Sequence, residues 1–148
     1  MAAGDFVVLD RAQERIGAEV NLATDGLAWV LTTNAQALSA GFTGGSGDAL
    51  YADLTDEVSG AGYTAGGEAL TGVTWSTAGG VSLLDAASTV WTAATFTAKY
   101  AVLIDTTVAD DPIIGFVDLD EAEAAGVTVA GVDLTLNWPD GIFDLAKA

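Results

Sequence analysis

Cysteine and histidine are absent from this 148-residue chain, and lysine and arginine together number four. Without cysteine there is no disulfide and no thiolate nucleophile, and without both residues there is no Cys/His zinc site. Without histidine there is no imidazole base and no histidine triad. Four basic side chains cannot lay down the cationic footprint that releases counterions from phosphates, so nucleic acid is excluded as a partner. An anionic membrane surface is excluded for the same reason. No window approaches 18 uninterrupted apolar residues, and Met1–Asp5 has no basic leader region. The expectation is therefore a soluble chain made in a cytoplasm.

What is present is carboxylate and apolar surface. Asp and Glu number 21, giving a net charge of −17, while 51% of residues are hydrophobic. The mean hydropathy is +0.42. That combination excludes an acidic disordered tail, which is poor in apolar residues. A chain of this length buries enough surface for one domain with a core of its own. Its folded surface should be roughly 7,000 Å², or about one net charge per 400 Å². Such a spacing exceeds the Debye length of about 8 Å at physiological salt, so self-repulsion is tolerable there. A surface this acidic and a remainder this apolar together suggest burial against further copies of the chain.

Val8, Ala12, Ile16 and Val20 recur every four residues among charged neighbours, which predicts a short amphipathic helix in an N-terminal arm, residues 1–25. Gly17 weakens it by about 1 kcal/mol. Residues 26–148 read as one β domain. Ala28–Thr33 follows an Asp-Gly turn, and Gly41–Gly47 is a glycine loop. Leu50, Leu54 and Val58 fit helical spacing. Val73–Trp75 and Val81–Leu83 flank a Gly79-Gly80 turn, and Thr89–Thr92 follows as a further short strand. The clearest strand is Thr95–Asp105, where Phe96, Ala98, Tyr100, Val102 and Ile104 share one face and Ala101 and Leu103 make the second face apolar. Ile113–Leu119, Val127–Trp138 and Ile142–Leu145 complete the set. In Val127–Trp138 the residues Val132, Leu134 and Leu136 face one way, and Gly131 marks a bulge. The fold class predicted is mainly β, an antiparallel β-sandwich or jelly roll with a short N-terminal helix or arm.

Candidate chemistry is sparse. Asp110-Asp111 and Asp118-Leu119-Asp120-Glu121 are the densest carboxylate clusters. Calcium suits such oxygen ligands, yet the second cluster lacks the sixth-position glycine and distal glutamate of an EF-hand. Solvated loop charge is the plainer reading. Gly60 to Gly66 misses the GxGxxG spacing by one residue, and Gly41–Gly47 lacks the Lys and Ser/Thr of a phosphate loop. The serines have no base, and neither Lys99 nor Lys147 has an S-x-x-K context. Trp29, Trp75, Trp91 and Trp138 lie in apolar strand patterns, which favours a core or a subunit interface over a sugar platform. No catalytic group, metal or cofactor is assigned.

One series of segments carries a resemblance: Asp56-Glu57-Val58 through Gly62-Tyr63 to Leu70, Val73-Thr-Trp75, Val90-Trp91-Thr92, Phe96-Thr-Ala98-Lys-Tyr100, Pro112 to Leu119, and Leu134 to Leu145. Together with Asn21 to Asp25 and Ala28 to Thr33, this order resembles a family of small virion structural proteins of tailed bacteriophages. The resemblance spans roughly residues 20 to 145 and consists of turns and strands. It implies a non-enzymatic β protein of the virion, foremost a capsid decoration (cement) protein bound to the outer surface of the head shell. Its partners would be the major capsid protein and further copies of itself, as a dimer or trimer. The interface residues expected on this reading are Ala12, Ile16, Val20, Trp29, Phe42, Tyr51, Trp75 and Trp91, with the helix or the Gly41–Gly47 loop gripping the shell. A tail, neck or fibre component that binds glycan or calcium is the alternative. A carboxylate-based glycosidase or lyase is a third.

Overall fold

Two stretches that are apolar at nearly every position become the central strands. In a computed structural model that describes residues 3–146, β2 (Leu27–Thr32) and β7 (Tyr100–Asp105) pair antiparallel, and β2 is buried at every position. A strand buried on both faces needs no polar alternation, and these two have none. Residues 1–2 and 147–148, Lys147 among them, lie outside the described residues.

Around this pair stands a five-stranded sheet in the order β1-β8-β7-β2-β3, with β1 at Val7–Val8, β8 at Ile113–Asp118 and β3 at Glu68–Ala69. A three-stranded sheet combines β4 (Thr74–Ala78), β5 (Val81–Asp85) and β10 (Phe143–Ala146) in the order β10-β5-β4. A two-stranded ribbon joins β6 (Thr89–Ala98) to β9 (Val127–Leu136). Every pairing is antiparallel. The chain is thus mainly β, with antiparallel sheets consistent with a β-sandwich and one short helix near the N-terminus. Trp29 stacks on Trp138 at 5.3 Å and Phe6 on Phe143 at 5.2 Å, with Trp75 6.0 Å from Phe143. These rings join β2 of the large sheet to β4 and β10 of the small one.

The helix α1 covers only Asp10–Ile16 and ends at Gly17. Val8 lies in β1 and Val20 lies beyond the helix, so the four-residue repeat does not mark one helical face. The first 25 residues are joined to the body: β1 pairs with β8, and Ala12 is fully buried. The helical spacing of Leu50, Leu54 and Val58 yields only a 3-10 turn at Tyr51–Asp53. Asp53 folds back to accept from Ser46 and Leu50, and Val58 N–H donates to Leu31 O at 2.9 Å, which lays the segment beside β2.

The expected strand Thr95–Asp105 is two strands in different sheets. The chain turns from ribbon to sheet at Lys99, and the alternation continues through the turn because the flanking backbone stays extended. Lys99 N–H donates to Thr32 O, and Lys99 O accepts from Leu119 N–H, both at 2.8 Å. Its ammonium donates to Asp120 O at 2.7 Å and Glu123 O at 2.9 Å, and pairs with Asp118 Oδ1 at 2.9 Å. Three acceptors meet the three donors of the ammonium. In the ribbon the bulge marked by Gly131 is present, and a second one lies opposite at Ala93: the register shifts on each side of Ala94. Ala93 N–H donates to Asp133 Oδ1, and Gly131 N–H to Thr95 Oγ1. The pair of bulges restores register but turns Val132 outward, 54% exposed, while Leu134 and Leu136 stay buried.

Gly126 lets the chain re-enter the ribbon directly over this corner. Its φ is +87°, and a Cβ there would lie 2.2 Å from Ala98 O and 2.6 Å from Lys99 Cα. Gly131, at φ +66°, has open space at the same position. Urea unfolding of Gly126→Ala should therefore show a loss of about 3 kcal/mol, against about 1 kcal/mol for Gly131→Ala, where only the backbone angle is unfavourable. Equal losses would mean that the close approach at Lys99 carries no energy.

Candidate functional site

The expected interface residues divide by burial. Ala12, Val20, Trp29 and Trp91 belong to the core of this chain and offer no side chain to a shell or to a second copy. Each sat in an apolar pattern that is the chain's own packing, so the expectation is corrected for these four. Ile16, Phe42, Tyr51 and Trp75 are half-buried against the same core. Ile16 and Trp75 come together with Val20 and Leu22 around an open depression of about 440 Å³. Phe42 and Tyr51 lie outside it. Trp91 lines a smaller apolar cavity of about 200 Å³ with Leu119, Val127, Leu134 and Leu136, and its Nε1 is buried without an acceptor.

The helix and the glycine loop, each expected to reach outward, are bonded to one another. Arg15 pairs with both Asp48 and Glu19, and Arg11 pairs with Glu14 at 3.1 Å and reaches Gly47 O. Ala49 N–H and the Arg15 guanidinium hold the Asp48 carboxyl below its usual range. Asp53 is lowered by the Ser46 hydroxyl and by backbone donors from Ser46 and Leu50.

A hydrogen-bonded group around Glu57 was not anticipated. Glu57 Oε2 accepts from Tyr51 OH at 2.6 Å, and Glu57 Oε1 accepts from Tyr63 OH at 2.6 Å and from Gly66 N–H at 2.8 Å. Tyr63 OH in turn accepts from Leu31 N–H at 3.1 Å. The hydrogen bond to Glu57, with burial, pushes Tyr51 up to about 12; burial and the same carboxylate push Tyr63 higher still. Both phenols are therefore fixed donors, and the triad ties the 3-10 turn and the Gly60–Gly67 loop to β2. The only trace in the sequence is the even spacing of Tyr51, Glu57 and Tyr63, six residues apart.

The Asp118–Glu123 segment, weighed above as a calcium loop, already holds a cation, the Lys99 ammonium on Asp118 and two loop carbonyls. Asp120 Oδ1 accepts from Ala122 N–H. Among the described residues no three carboxylates converge as a metal set.

Comparison with family models, curated proteins and solved structures finds no match for this chain. Function must therefore be argued from the surface. Its 7132 Å² carries the acidic groups unevenly. Residues 69–98 contain one charged side chain, Asp85, although the chain has 25 charged residues in all. That stretch forms β4, β5 and β6. Exposed apolar side chains occur there at Val81 and Val90, and on β9 at Val132.

One buried carboxyl has no cation beside it. Asp105, fully buried at the end of β7, accepts through Oδ1 from Thr107 N–H at 2.8 Å and Val108 N–H at 3.0 Å; its Oδ2 has no donor. Burial raises its pKa from the ordinary 3.8, and the carboxyl of Asp25 facing it raises it further. A raised folded value means that folding favours the protonated form. The contribution is fully present below 3.8 and is lost as pH rises through the folded value. Asp105→Asn keeps the Oδ1 acceptor and gives Asp25 a donor. The variant should match wild type in acid and melt about 5 °C higher at about pH 8. Parallel melting profiles across this range would show that Asp105 ionises without cost.

Proposed function

We propose that this chain is a non-enzymatic virion structural protein of a tailed bacteriophage, a capsid decoration protein that binds the outer surface of the head shell as a homo-oligomer. The observation that carries the reading is the separation of charge on the β body. A net charge of −17 keeps the exterior soluble and turns it away from DNA, while β4, β5 and β6 present exposed strand surface with a single carboxylate. Contacts between proteins are depleted in charge at their centre and built from such surface. The resemblance of residues 20 to 145 to small phage virion proteins supports the same reading. So does the use of Glu57, Asp48 and Asp118 in bonds that hold loops in place.

A decoration protein gains by avidity, since several weak contacts per oligomer act together. No strong single pocket is needed. With the helix and glycine loop bonded to each other, the docking surface is assigned to the outer side of the β6–β9 ribbon, around Val90 and Val132.

Quantitative mass spectrometry of purified virions of the encoding phage tests the reading. A copy number comparable to that of the major capsid protein is expected. A few copies per particle would move the chain to the tail, neck or fibres, and absence from the particle would end the virion reading.

A further inference from the structure

The hairpin of β4 and β5 projects beyond the body, with Ser76 to Val81 all exposed. Gly79 and Gly80 have φ of +60° and +82°, the signature of a two-residue type I′ turn. In such a hairpin the residues flanking the turn, Ala78 and Val81, exchange both main-chain hydrogen bonds, and hydrogen-bonded pairs then alternate along the ladder. Ser76 and Thr74 therefore face inward to β5, while Trp75 and Thr77 turn their N–H and C=O groups outward. β4 is the last strand of its sheet, and among the described residues no main-chain hydrogen bond reaches that outer edge.

Soluble proteins blunt such edges with lysine, proline, a bulge or a covering loop. Thr74-Trp75-Ser76-Thr77-Ala78 has no charge and no proline, and its register with β5 is unbroken. We infer that β4 is the pairing edge for a second copy of this chain, joined antiparallel about a two-fold axis at Ser76. Trp75 of each copy then lies opposite Thr77 of the other, and each pair exchanges both hydrogen bonds. Thr74 meets Ala78 and Ser76 meets Ser76, so no like charges oppose one another.

The choice of a second copy follows from charge. A basic partner would be drawn to the carboxylate-rich faces and would gain nothing at an uncharged edge. Two copies at −17 each repel over most of their surface, and β4 is an approach with no carboxylate of its own: Asp85 lies one strand back, opposite Thr74, and Asp144 on the far edge of the same sheet. The joined strands form one six-stranded sheet across the two copies, a closed two-fold arrangement. The inference rests on the reading of the chain as an assembly protein, to which it adds the contact between copies.

Sedimentation velocity at rising protein concentration tests it, in low and in high salt. Wild type should pass from monomer to dimer, and added salt should increase the dimer fraction because it screens repulsion between like-charged copies. Thr77→Pro removes one outward N–H, leaves the main-chain β4–β5 ladder in place and loses the exposed hydroxyl bond to Ser82, which Thr77→Ala loses equally; it should remain monomeric and melt as Thr77→Ala does. Thr77→Ala keeps that N–H and should dimerise as wild type does. If Thr77→Pro does not fold, amide exchange decides: Trp75 and Thr77 of wild type should exchange more slowly in concentrated than in dilute solution. A wild type that stays monomeric in high salt, a folded Thr77→Pro that still dimerises, or exchange independent of concentration would each overturn the inference. Virion copy number is independent of these outcomes, so the two readings fail separately.

Discussion

The cation at Lys99 is the constraint around which the two halves of the β body are arranged. A strand that passes from a ribbon into a different sheet must turn where its neighbours change, and main-chain groups at that turn lose their regular partners. Here the ammonium gathers two loop carbonyls and the Asp118 carboxylate, while the Lys99 main chain stays bonded to Thr32 and Leu119. Loop 119–126 is thereby wrapped over the corner, and Gly126 lets it pass close enough to start β9 beside Ala98. A buried ion pair is weak evidence for stability, but removing one partner of a satisfied one is costly. Three filled donors make this a case of the second kind.

The same logic of charge placement extends outward. The protein holds a large excess of carboxylate, and among the described residues the three basic groups are spent on internal joints: Lys99 at the corner, Arg11 and Arg15 between α1 and the glycine loop. What remains on the exterior is acidic, and the uncharged parts are the exposed loop over residues 34–47 and the strands β4, β5 and β6 with their single Asp85. A net charge of −17 opposes the approach of other polyanions, further copies included, over most of this surface. On the proposed reading, the uncharged β surface that is left serves the contacts of assembly.

Much of the β architecture was legible because burial writes itself into periodicity. The two-faced apolar runs in β2 and β7, the Gly79-Gly80 hairpin and the bulge at Gly131 all stand in the sequence as local signals. The sheet change at Lys99 does not, because alternation is the same on both sides of a corner and only partners distant in sequence distinguish them. The helix was overextended because Val8, half-buried in β1, and Val20, buried in the loop after Gly17, each stand four residues from helical neighbours. The candidate contact residues were the least legible. Ala12, Val20, Trp29 and Trp91 are apolar for the sake of the core, and one-dimensional patterning cannot separate a side chain facing its own core from one facing another molecule. The Glu57 triad depends on loops that fold toward each other, and no spacing rule anticipates that.

Urea unfolding of Lys99→Met against wild type tests the central role of the corner most directly, because methionine keeps the length and apolar stem of the side chain while removing its three donors. The account predicts a loss of about 3 kcal/mol, since Asp118 and two loop carbonyls are left without their partner. A variant as stable as wild type would contradict it, and would place the union of ribbon and sheet in the apolar packing alone.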